Sequence, residues 1–287
     1  MNEEKLIDLH THTTNSDGDL SSYELIKLAS KSNIGTLAIT DHDSINGIKM
    51  LDKDEIIQKY GIKLINGIEL AAKVLIGLMH ILGYDFDLNS ESLNNKLIEL
   101  KENSIISTLR IVEQIKKDYN IVFSEEDINE LINLPHHIGR PDVAKLCIKY
   151  GCAESVSDAF KKYLVDAYNK NRKYSRKMRY EECINLILNS GGIPVLAHPK
   201  SLELEDSDLI LLIEKLITCG LQGIEVYHSS HTKEEREFYM DIANRYGLLV
   251  SGGNDYHGKS VKPEIELGSG TNNNVLVRKL SILDKIK

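Results

Sequence analysis

Short apolar runs alternate with longer stretches of helical spacing along this chain. The runs are KLIDL, TLAIT, KLINGIEL and LMHILGY, and later IPVLAH, GIEVYH and LLVSGGND. Each is the length of a buried strand and is bounded by polar or turn-forming residues. Between most of them, apolar residues recur every three or four positions, as in SSYELIKLASKSN, where Ser21 and Glu24 fit a capping box. Repeated strand-then-helix units predict an α/β domain built on a parallel sheet, open or closed into a barrel. From about Asn89 to Arg179 the rhythm breaks. LNNKLIELKENSIISTLRIVEQIKKDY, SEEDINELINL, GRPDVAKLCIKYG and SVSDAFKKYLVDAY all read as helices with no core strand among them. The expectation is a discontinuous barrel-like domain, residues 1–88 and 180–287, interrupted by a helical insertion or cap at residues 89–179.

Composition narrows the class without deciding it. Of 287 residues, 41% are hydrophobic and 27% charged, as in an ordinary globular protein able to bury a large core. No apolar run is long enough to cross a bilayer and the start MNEEKLIDLH lacks the features of a signal peptide, so a cytoplasmic protein without membrane contact is expected. Cys147, Cys152, Cys183 and Cys219 include no C-x-x-C pair and sit in helical patterns, which suits reduced, buried thiols. The net charge of −8 argues against a surface that wraps long duplex nucleic acid. It leaves room for a small anionic substrate held by a local positive charge.

The candidate chemistry lies where the predicted strands run out. His10 and His12 follow the first run, and two residues apart on a strand they share a face. Asp17 comes soon after. Asp41 and His42 follow TLAIT, Glu69 ends LINGIE, and His80 lies in LMHILGY. His198 ends IPVLAH, His228 ends GIEVYH, and Asp255 and His257 follow LLVSGGN. In parallel α/β proteins the carboxyl ends of the strands form one face, so these side chains should converge. Any one of them alone would read as a core histidine or a capping aspartate. Together they make a mixed imidazole and carboxylate set suited to zinc, manganese or iron.

The segments DLHTHTTNSDG, AITDHDSINGI, GIEL, HILGY, PVLAHP and GGNDYHG resemble, in order and character, the motifs of the PHP (polymerase and histidinol phosphatase) superfamily of metallophosphoesterases. HIGRPDVAKL, DAFKKYL and GIEVYHSSHT are similar to the branch of nucleoside 3′,5′-bisphosphate phosphatases and 5′-to-3′ exoribonucleases. The resemblance implies a distorted seven-stranded βα barrel and three divalent metal ions, with manganese the natural choice in vitro and iron or zinc as alternatives. It implies that His10, His12, Glu69 and Asp255 hold one ion, that Glu69 bridges to a second held by His80 and His198, and that Asp17, His42 and His257 hold the third. It further implies a small nucleotide or short single-stranded RNA as substrate.

Three divalent ions on three carboxylates and six neutral histidines leave a local formal charge of roughly +3, which draws phosphate to an acidic protein. Such ions activate water, so the expected reaction is direct hydrolysis by a metal-bridging hydroxide without a protein nucleophile. His228 and His231 are candidate proton donors, and Asp41 is expected to orient a ligand histidine. Arg140 in HIGRP is the candidate phosphate clamp and Tyr227 the best-placed base-stacking ring. The sequence reads GRPD where the branch usually has GRPH, so Asp142 is expected to add negative charge near the substrate. Lys170, Arg172, Lys173, Arg176, Lys177 and Arg179 could guide a nucleic acid, although such runs are usually solvated faces. Alternatives are a histidinol-phosphate or other small phosphomonoester phosphatase, and a non-catalytic metal-stabilised binding module. A haloacid-dehalogenase-like enzyme would use Asp41 and Asp43 but leave the strand-end histidines idle.

Overall fold

The computed structural model describes residues 4–74, 77–174 and 177–286. The chain forms two compact units, Met1–Asn94 with Met178–Lys287, and Asn95–Lys177.

In the first unit all seven apolar runs become strands. They are β1 (Leu6–Asp8), β2 (Ile34–Ile39), β3 (Lys63–Ala72), β4 (Met79–Tyr84), β5 (Ile193–Leu196), β6 (Gly223–Tyr227) and β7 (Leu249–Gly252), and they follow one another in sequence order across a single sheet. β1, β2 and β3 run parallel, as do β5, β6 and β7. β4 is antiparallel to both neighbours, which corrects the all-parallel expectation. Only six residues link β3 to β4, and a connection that short cannot make the crossover that parallel pairing needs. β3 also continues past Glu69 to Ala72, so Glu69 lies within the strand. The reversal of β4 places His80, near its start, beside Ala71 near the end of β3.

The two edges of the sheet meet just beyond β1 and β7. Leu9 N–H donates to the Gly252 carbonyl at 3.1 Å, His12 N–H to the Tyr256 carbonyl at 2.8 Å, and Tyr256 N–H to the His10 carbonyl at 3.3 Å. Thr11 and Tyr256 form a parallel bridge there. A Cβ on Gly253 would fall 2.3 Å from the His10 nitrogen, so this approach requires glycine. Residues two apart, Ile7 and Leu9, Leu82 and Tyr84, Val195 and Ala197, share one core cluster with Val275, Val277, Leu280 and Ile282.

Helices cover the other side of the sheet. α1 (Ser22–Lys31) packs on β2, and its Ser21–Glu24 capping box is formed. After the short α2 (Asn46–Lys49), α3 (Lys53–Tyr60) packs on β3. α4 (Glu91–Tyr119) leads into the second unit, which also contains α5 (Glu125–Ile132), α6 (Arg140–Lys149), α7 (Val156–Ala159), a π-helical turn over Phe160–Leu164, and α8 (Val165–Asn171). Its own core gathers Ile111, Ile115, Val143, Cys147 and Leu164. Back in the first unit, α9 (Tyr180–Asn189) packs on β4 and β5, α10 (Asp206–Thr218) precedes β6, and α11 (Lys233–Tyr246) packs on β6.

Candidate metal centre

Glu69, fully buried in β3, is the hub around which the histidines gather. Its Oε2 lies 3.2 Å from His10 Nε2, 3.2 Å from His12 Nε2 and 3.1 Å from His42 Nδ1. Its Oε1 lies 2.7 Å from His80 Nδ1 and 2.9 Å from His198 Nε2. Asp255 Oδ1 approaches His10 Nε2 at 3.5 Å and His12 Nε2 at 3.1 Å. Asp17 stands farther out, with Oδ1 3.3 Å from His257 Nε2 and Oδ2 3.8 Å from His42 Nε2. Donor atoms of His10, His12, Glu69 and Asp255 lie mutually close, as do those of His12, Asp17, His42 and His257, and those of His42, Glu69 and His80. Divalent transition-metal ions sit about 2.0–2.2 Å from such donors, so ligands of one ion lie roughly 3.0–3.5 Å apart, the spacing seen in the first of these groups.

The hydrogen bonds on the far side of each ring decide which nitrogen faces inward. His10 Nδ1–H donates to Glu225 Oε1 at 2.9 Å. His257 Nδ1–H donates to the Asp255 carbonyl at 2.9 Å. Ser201 gives its proton to the Leu78 and His198 carbonyls, so it accepts from His198 Nδ1–H at 2.7 Å. Ser16 likewise gives its proton to Asp41 and faces His12 Nδ1 at 3.4 Å. In each neutral ring Nε2 then carries a lone pair aimed at a carboxylate oxygen. Lone pair against carboxylate is repulsive unless a cation lies between them. His10 Nε2, His12 Nε2, Glu69 Oε2 and Asp17 Oδ1 are buried and lack a hydrogen-bond partner in the protein. The donor set therefore fits divalent metal ions.

The backbone is bent to present these groups. His198 has φ 23° and Asp255 φ 53°, left-handed values unusual for their residue types. Three supporting residues were missed by sequence reading. Glu225 also accepts the His198 backbone N–H on Oε2 at 2.8 Å, bracing two histidines at once. Asp8 accepts the N–H groups of Asn254 and Gly268 and the Asn254 side-chain amide, fixing the segment that carries Asp255. Lys262 Nζ lies 2.6 Å from Asp255 Oδ2. A carboxylate inside an apolar strand run, as in LIDL and GIEVY, was the available signal for the first two.

The remaining candidates divide. Asp41 touches no ring directly. It accepts Thr13 N–H, Thr13 Oγ1–H and Ser16 Oγ–H, each at 2.7 Å, and reaches His12 only through Ser16. His228 Nδ1 accepts the Ser230 N–H at 3.1 Å, so its neutral ring carries the proton on Nε2, which is buried, unpartnered and 3.7 Å from Asp255 Oδ2. His231 is the opposite tautomer, its Nδ1–H donating to the Val226 carbonyl at 2.9 Å. Burial, with His228 beside it, lowers the His231 pKa to about 4. Tyr227, the candidate base-stacking ring, packs half-buried against the core.

In the second unit, Arg140 lies over the Tyr168 ring at 4.3 Å and the Phe160 ring at 5.3 Å, with no carboxylate paired to it among the described residues. Asp142 is not a free negative charge. Its Oδ2 accepts the Gly139 N–H at 3.0 Å, capping α6, and its Oδ1 meets His136 at 3.2 Å and Lys145 at 3.4 Å. In the basic run Lys170 pairs with Asp118 and Asp166, while Arg176 lies outside the described residues. No helix among the described residues is long and apolar enough to cross a membrane.

Comparison with known proteins gives a consistent picture. A model of the PHP domain family matches residues 8–218. The 5′-3′ exoribonuclease Rnm of Salmonella typhimurium is 30% identical over 92% of this chain and 88% of its own. The 3′,5′-nucleoside bisphosphate phosphatase of Chromobacterium violaceum is 27% identical over 88% of this chain and 87% of its own. Among solved structures, an amidohydrolase from Chromobacterium violaceum, with sulfate bound and no metal, superposes with TM-score 0.75 at 27% identity, covering 88% of this chain and 87% of that one.

Proposed function

Because the chain belongs to the PHP domain family, and so is a metal-dependent phosphoesterase, we propose that it hydrolyses phosphate esters of nucleotides. The substrates would be the 3′-phosphate of nucleoside 3′,5′-bisphosphates, short 5′-phosphorylated oligoribonucleotides, or both, in line with the activities named for its relatives. One observation carries the reading: imidazole lone pairs converge on the two oxygens of the buried Glu69.

We assign one ion to His10, His12, Glu69 and Asp255, a second to Glu69, His80 and His198, and a third to Asp17, His42 and His257. Manganese, iron and zinc all suit these nitrogen and oxygen donors. When bound, the ions would acidify water and offset the charge of the phosphate. Glu225 and Ser201 hold the His10 and His198 rings at the required angle. Asp41 holds the loop that carries Asp17. His228 presents an N–H toward the cluster and is the donor to the leaving oxygen. His231, with its proton turned to a carbonyl, serves the fold instead. Arg140, with no carboxylate paired to it among the described residues, is the candidate grip on a substrate phosphate.

The test is turnover of adenosine 3′,5′-bisphosphate, a short 5′-phosphorylated RNA and histidinol phosphate by the manganese-loaded protein beside a chelated control. Metal-dependent phosphate release from the nucleotide, or shortening of the RNA from its 5′ end, is expected. Cleavage of histidinol phosphate alone would replace the substrate. Metal-dependent stability with no turnover of any of the three would point to a binding module.

A further inference from the structure

Lys262 takes no part in the reading above. Its ammonium meets Asp255 Oδ2 at 2.6 Å, on a side chain about a third exposed. Asp255 divides its oxygens: Oδ1 faces the His10 and His12 nitrogens, while Oδ2 faces Lys262 and, at 3.7 Å, His228 Nε2. An ammonium has three donors, and Asp255 is the one acceptor on Lys262 among the described residues. The buried His228 Nε2 is also without a hydrogen-bond partner. Two groups with unspent donor hydrogens, Lys262 and His228, thus stand on one flank of the cluster.

The lysine is placed rather than loose. Its N–H donates to the Gly258 carbonyl at 2.9 Å. Asp19 ties down the same loop through the N–H and hydroxyl of Ser260, each at 2.8 Å. Lys259 Nζ reaches back to the Pro263 carbonyl at 2.9 Å. A fixed ammonium beside bound cations is unfavourable by itself, since like charges repel. An anion shared between them reverses the sign.

We propose that Lys262 binds the reacting phosphate, held in place by the oxygen of Asp255 that faces away from His10 and His12. This inference rests on the phosphoesterase reading. A terminal phosphate oxygen would take one of the ammonium's remaining hydrogens, and the His228 N–H would lie on the same side.

Lys262→Met and Lys262→Arg variants test it by calorimetric titration of the manganese-loaded proteins with inorganic phosphate, alongside titration of each metal-free protein with manganese. Loss of one charge-assisted hydrogen bond should weaken phosphate binding by Lys262→Met about tenfold or more. Manganese affinity should stay within about threefold, Lys262→Arg should restore most phosphate binding, and KM should rise more than kcat falls. Unchanged phosphate affinity in Lys262→Met would overturn the assignment. So would a loss matched by an equal loss of manganese, which would reduce Lys262 to a support for Asp255. The phosphate titration uses no substrate, so it judges Lys262 even if no nucleotide or RNA is cleaved.

Discussion

Glu225→Gln separates the charge that aims two histidines from the shape that packs them. Glu225 is fully buried, with Oε1 accepting His10 Nδ1–H at 2.9 Å and Oε2 accepting the His198 N–H at 2.8 Å. Glutamine keeps the outline but offers one acceptor, so its amide N–H₂ must face one of the two donors. An unpaired buried donor costs about 1–3 kcal/mol. At about 2–4 °C per kcal/mol for a chain of this order of size, the metal-free protein should unfold several degrees lower. The lost carboxylate also makes His10 Nε2 a poorer ligand, and partners of this kind contribute about ten- to a hundredfold to metal affinity. Calorimetric titration with manganese should therefore show Glu225→Gln binding ten to a hundred times more weakly by that estimate, with part of kcat/KM recovered at high manganese. Wild-type manganese affinity in the variant would refute the reasoning, and a lowered melting temperature alone would leave Glu225 a packing residue.

Two further expectations concern metal and pH. Manganese at about a hundred times its dissociation constant should stabilise the protein by about 2.7 kcal/mol per site, and Glu69→Gln should lose most of that gain; equal melting temperatures with manganese and with chelator would contradict the metal centre. His231 has a folded pKa of about 4 against 6.5 for the free group. The unfolded chain therefore binds the extra proton between those values, and stability falls as pH drops from about 6.5 toward 4, by about 3 kcal/mol from this residue. Urea unfolding of wild type and His231→Asn across that range should show the wild type losing more; parallel curves would remove His231 as the cause.

The seven strands and the convergence of His10, His12, His42, His80, His198 and His257 were legible because most of these residues stand at or just beyond the ends of apolar runs. The direction of β4 was not. It depends on the short link between β3 and β4, a tertiary consequence that the apolar pattern of LMHILGY does not carry. Glu225 and Asp8 were passed over as single acids in apolar strands, although burial makes such acids informative. Asp142 looked like a change in substrate charge because sequence shows the residue but not the Gly139 N–H that it caps. Lys262 pairs across a loop and gives no periodic signal at all.

The seam where the residues after β1 meet those after β7 bears on how the protein is made. His10 and His12 leave the ribosome about 240 residues ahead of their cluster partner Asp255 and of the Tyr256 backbone that pairs with them. A nascent chain therefore carries six of the nine proposed ligands, His10 through His80, before His198, Asp255 and His257 are made. The two edges of the sheet meet through contacts of very long sequence separation, which are slow to form. On the proposed ligand assignment, a phosphoesterase built this way stays inactive until the residues after β7 are in place, and a chain truncated before Asp255 lacks one of the ligands altogether.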